Sequence, residues 1–70
     1  MKIKHFPETD MLYIELRPGA GADADEVAPG IVLDYDTDKN VIGIELDHAT
    51  ERTRLSKSEL ATFLAAVPQS

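Results

Sequence analysis

The stretch DYDTDKNVIGIE, residues 34 to 45, sets carboxylates at alternate positions, Asp34, Asp36 and Asp38, and closes on Glu45. Hard divalent cations take oxygen ligands, and this spacing reproduces positions 1, 3, 5 and 12 of the D-x-[DN]-x-[DN]-G-x₅-E calcium loop. Position 6 of such a loop turns sharply and carries glycine. Here it is Lys39, whose ammonium would stand beside the cation. The flanks IVLDYD and VIGIEL alternate with period two, whereas a calcium loop of this kind sits between helices. The stretch therefore reads as an acidic β-hairpin, with Asp34 and Asp36 on a solvated face. No specific metal site is expected.

The two histidines are the other candidates for acid–base or metal chemistry. His5 alternates with Ile3 and reads as a satisfied, half-buried side chain; His48 follows Asp47 in a polar connection and reads as exposed. Either could join Asp47 or Glu45 in a site, and His48 is the weak metal candidate beside the four hairpin acids. Ser56 is explained as a helix cap rather than a nucleophile, since no base adjoins it. Tyr13, outward on a polar strand face, suits a contact residue. No catalytic residue and no cofactor is expected.

The elements that position these residues follow from periodicity. KIKHF reads as a strand, Pro7 to Asp10 as a turn, and LYIEL as a second strand with Leu12, Ile14 and Leu16 on one face. Residues 18–25, PGAGADAD, lack apolar periodicity and are predicted to be a flexible surface loop; they also lack the spacing of a phosphate-cradling loop. IVLDYD and VIGIELD alternate around the turn Thr37 to Asn40, with Lys39 or Asn40 suited to a left-handed backbone. Gly43 inside a strand suggests a close approach or a bulge. Residues 56–67 are predicted to be a helix: Ser56 and Glu59 form a capping box, Leu55 and Leu60 have staple spacing, and Pro68 stops it.

The resulting expectation is a single α+β domain over residues 1–70, an antiparallel meander of about four strands with one C-terminal helix on the sheet. Its candidate core is Ile3, Leu12, Ile14, Leu16, Ile31, Leu33, Tyr35, Ile42, Ile44, Leu46, Leu60, Phe63 and Leu64. The apolar share is 43%, but eight of those residues are alanines, so a 70-residue chain has little with which to fill a core. No cysteine is present to staple it. Self-association, most simply a dimer, is expected to extend that core. A net charge of −6 opposes nucleic acid, whose phosphates need clustered bases, and better suits a basic protein partner or simple solubility. MKIKHF lacks the apolar run of a signal peptide, and no segment could span a membrane. A soluble cytoplasmic protein is expected.

FPETDMLYIEL and EVAPGIVLDYDTDKNVIGIELDHAT together resemble the small prokaryotic domain-of-unknown-function (DUF) family 2283. Pro7, Glu8, Asp10, Leu12, Tyr13 and Ile14 match its first block; Gly30, Asp34, Tyr35, Asp36, Val41, Gly43, Ile44 and Glu45 match its second. Phe6 stands where that family usually has aspartate, and His5 where it often has tyrosine. The resemblance carries no catalytic residue, and it implies a partner among toxin-like proteins. The functional expectation is a non-enzymatic interaction module that self-associates and binds a basic protein partner, with toxin neutralisation as one form of that binding. The alternative is a small metal-dependent or acid–base enzyme using the acidic hairpin and a histidine.

Overall fold

Alternating apolar residues cannot sit on one helix stripe, but they line one face of a strand. The computed structural model, which describes residues 1–68, follows that rule. Five strands form: β1 (Lys2–Phe6), β2 (Met11–Glu15), β3 (Asp23–Ala28), β4 (Ile31–Tyr35) and β5 (Val41–Leu46). They make one antiparallel sheet in the order β1-β2-β5-β4-β3. Two helices follow, α1 (Ala49–Thr53) and α2 (Lys57–Ala66). The α+β class is as expected, with three differences in its parts.

The sheet has five strands rather than four. β3 begins at Asp23, inside the segment 18–25 read as a loop. DADEVA has no apolar alternation, and its residues up to Val27 are exposed; the strand is held as an edge by pairing with β4. Nor is the path a simple meander. After β2 the chain crosses the ends of β5 and β4 to reach the far edge. Leu16 N donates to Ile42 O at 2.8 Å and Ala22 N donates to Tyr35 O at 2.8 Å along that crossing. The third difference is α1, formed by residues that read as a polar connection.

The pairing sorts the side chains into two faces. One carries His5, Leu12, Leu46 and Ile31 in one row, and Ile3, Ile14, Ile44 and Leu33 in the next. The opposite face carries Lys4, Tyr13, Glu45 and Val32, then Lys2, Glu15, Gly43 and Asp34. We call these the inner and outer faces. A bulge lies where the β4–β5 register shifts after Asp34.

α2 starts where its capping box predicts. Ser56 Oγ accepts from Glu59 N at 3.1 Å, and Ser56 N donates to Glu59 Oε1 at 2.9 Å. Leu60 is 2% exposed and packs with Leu12 and Ala49, with Ile3, Leu46, Leu55 and Leu64 around them. Leu55 and Leu60 thus meet as the staple requires. Phe63, expected in the core, is instead 52% exposed, and Leu16 also stands largely in solvent. The reason is geometric: α2 packs against the β1 side of the inner face and turns only Leu60 and Leu64, with Val67 at its C-cap, towards protein. Among the described residues the buried apolar side chains are Leu12, Ile42, Ala49 and Leu60. Ile14, Ile31, Leu33, Tyr35 and Ile44 are only half-buried.

Candidate functional site

A short aspartate in a turn usually bonds the amides next to it. Asp10 does something else. Its left-handed backbone (φ 55°) turns the carboxylate towards α1, forty residues away in sequence. Thr50 N donates to Asp10 Oδ2 at 3.2 Å, Thr50 Oγ1 donates to the same oxygen at 2.6 Å, and Ala49 N donates to Asp10 O at 2.9 Å. His5 Nε2 donates to Asp10 Oδ1 at 2.8 Å from a side chain only 6% exposed. The Thr50 hydroxyl, then His5, hold the Asp10 carboxyl down to about 2. His48, the residue before α1, offers no side-chain cap, so Asp10 takes that role from across the fold. Thr50 bonds the carboxylate rather than the imidazole, so the trio is wired as an anchor and not as a nucleophile and base.

The same end of the sheet is closed by Arg52. Its Nε donates to Asp47 O at 2.6 Å and its Nη2 donates to Pro29 O. Gly30 turns there with φ 75°, and a side chain on it would collide with that guanidinium. α1 therefore ties the β1–β2 turn and the β3–β4 turn together.

On the outer face, three side chains named in the sequence meet around a glycine. The Tyr13 ring lies across Gly43, where a Cβ would overlap its hydroxyl. Tyr13 donates a hydrogen bond to Asp34, which is also hydrogen-bonded to Glu45. Burial and then the Asp34 charge raise both the Tyr13 hydroxyl and the Glu45 carboxyl above their ordinary values. The neighbouring Asp34 charge disfavours ionising Glu45.

The four hairpin acids do not converge. Asp34 and Glu45 join Tyr13, whereas Asp36 folds back on its own loop. Its Oδ1 accepts from Asp38 N and Asn40 N, both at 2.9 Å, and the Asn40 amide is the chief cause of its lowered pKa. Asp38 is exposed, Lys39 takes the left-handed conformation (φ 64°), and His48 stands in solvent. Among the described residues no three His, Asp or Glu side chains are grouped to hold a metal ion.

A second acidic region forms because β3 is placed beside that hairpin. Ala22, Asp23, Asp25, Tyr35, Asp36, Thr37 and Lys39 line a cleft of about 530 Å³ at the β3–β4 end. It leaves no periodic trace along the chain, since it depends on an edge strand without apolar alternation.

Residues 2–49 match the family described as a protein of unknown function, DUF2283. The chain belongs to this family. The match runs from β1 to the first residue of α1, so the Asp10 anchor and the Tyr13–Gly43 cluster draw nearly all their residues from it, while α2 lies beyond. No curated protein and no solved structure matches the chain. No helix among the described residues is long and apolar enough to cross a membrane.

Proposed function

We propose that this chain is a non-enzymatic interaction module that self-associates and takes a basic protein partner at its acidic β3–β4 end. The observation that carries the reading is the edge strand β3. Asp23, Asp25 and Glu26 are exposed along it, and Asp36 lines the cleft beside it. An open edge can accept a further strand by main-chain pairing, with selectivity left to the side chains. Carboxylates flanking Tyr35 suit lysine or arginine side chains, which an aromatic face also attracts. Neutralising a toxin-like protein is one biological form of such binding. The other chemistry-bearing groups support the same reading: His5 and Asp10 anchor α1, and Asp36 closes its own turn.

The test is recovery of the tagged chain from its own host with mass measurement of the intact complex. A stoichiometric basic partner, lost when Asp23→Asn, Asp25→Asn and Glu26→Gln are combined, is the expected result. Partner retention by that triple variant would overturn the assignment to β3.

A further inference from the structure

A surface helix ordinarily shows one apolar stripe and a charged opposite face. α2 departs from that pattern. No charged residue follows Glu59 in a chain that is 29% charged overall. Ala61, Thr62, Phe63, Ala65 and Ala66 are nevertheless exposed. Beyond its first turn the helix therefore lacks the charged outer face of a surface helix, which suits contact with a second apolar surface.

The sheet shows the matching deficit. β5 is the central strand, so Ile44 on its inner face should lie at the middle of the core. It is only half-buried, as are Ile14, Leu33 and Ile31 on the neighbouring strands. α2 packs on the β1 side, and none of these four residues belongs to the cluster that it buries with Leu12 and Ala49. The accessible surface is 4864 Å². A folded monomer of 7.7 kDa is expected to expose about 4,300 Å². The excess of roughly 500 Å² is a large part of the about 800 Å² that each partner buries in a standard interface.

We infer that a second copy of this chain covers the open inner face, with α2 of each copy lying on the uncovered half of the other's sheet. A two-fold axis parallel to the strands gives this arrangement. The two α2 helices lie side by side in one layer between two sheets, and each helix contacts both. The inference rests on the self-association reading and adds its surface. Charge selects this occupant. Two chains of net charge −6 repel unless they meet where no acids lie. The inner residues Leu12, Ile14, Leu46, Ile44, Ile31 and Leu33 are aliphatic, and acids come onto this face only at the edge strand, where Asp25 and Asp23 stand opposite Leu33 and Tyr35. A basic partner would instead need carboxylates on its docking face.

The test adds a charge to α2 at positions exposed in the single chain, using Ala65→Glu and Phe63→Glu. Light scattering at micromolar concentration should give the parent twice the 7.7 kDa of one chain, and either variant one chain with unchanged far-UV circular dichroism. In the parent, exchange of the α2 amides should slow as concentration rises. A parent that stays a single chain, including one that pairs only with a different protein, overturns both the inference and the self-association reading. A dimer that persists in both variants, with α2 exchange independent of concentration, overturns this interface alone.

Discussion

Asp10 shows how one carboxylate can fasten a distant helix, and its ionisation makes the fastening testable. The carboxyl has an ordinary value of 3.8 and is lowered to about 2 by Thr50 and His5. A depressed folded pKa gives stability that is complete above the unfolded value and lost as pH falls through the folded one. Asp10→Asn should therefore lower the melting temperature at pH 7, and the gap to the parent should close between about pH 4 and pH 2. Thermal melts across that window check it; a gap constant with pH would mean that charge is not what binds Thr50. Glu45 works in the opposite direction. Burial and the Asp34 carboxylate raise its pKa, so the folded chain holds that proton more tightly than the unfolded one. Ionised Glu45 then costs stability at neutral pH, and the cost disappears on acidification. Glu45→Gln should melt above the parent at pH 7, with the gain shrinking as pH falls. A lower melting temperature at pH 7 would show that the charge is held favourably.

α2 depends on a narrow stripe, and its stability should follow that stripe rather than its overall hydrophobicity. Leu60 is 2% exposed at the centre of the cluster with Leu12 and Ala49. Truncating a buried leucine costs about 2–5 kcal/mol, against a total of about 5–15 kcal/mol for a small domain. Leu60→Ala should thus shift the urea midpoint strongly, and a midpoint near the parent's would mean that α2 is not part of the cooperative unit. The helix and four of the strands could be read from the chain because their signals are local. Ser56 and Glu59 mark a start, Pro68 marks a stop, and period-two alternation marks β1, β2, β4 and β5. β3 was not legible, because an exposed edge strand needs no apolar alternation to pair. The extent to which α2 covers the sheet was not legible either. Phe63 has the spacing of a core residue, but spacing cannot say how far across a sheet a helix lies. The site residues divide in the same way. Gly43 announced a close approach within its own strand, while the Asp10–Thr50 bond spans forty residues and leaves no periodic trace.

The molecule measures 36 × 29 × 16 Å, a slab whose charge and apolar surface are segregated. Acids gather on β3, the adjoining hairpin and the outer face, while the inner residues from Leu12 to Leu33 on β2, β5 and β4, and α2 beyond Glu59, carry none. Two kinds of association on such a body should answer oppositely to salt. Self-association through the inner face brings together two charges of −6, whose repulsion acts across the gap between acidic ends. Raising ionic strength from about 0.1 M to 1 M shortens the screening length from about 10 Å to about 3 Å, which removes most of that repulsion. Apolar burial supplies the attraction and is not weakened by screening. The dimer should therefore tighten with sodium chloride, and its melting temperature should rise with protein concentration as mass action requires. Binding of a basic partner at β3 loses its main attraction over the same range, so its dissociation constant should increase. Sedimentation of the chain alone and with its partner, each across the salt series, measures both slopes. Opposite signs are the expected outcome. If both associations weaken together, carboxylates lie in both interfaces and the inner face is not where the two copies meet.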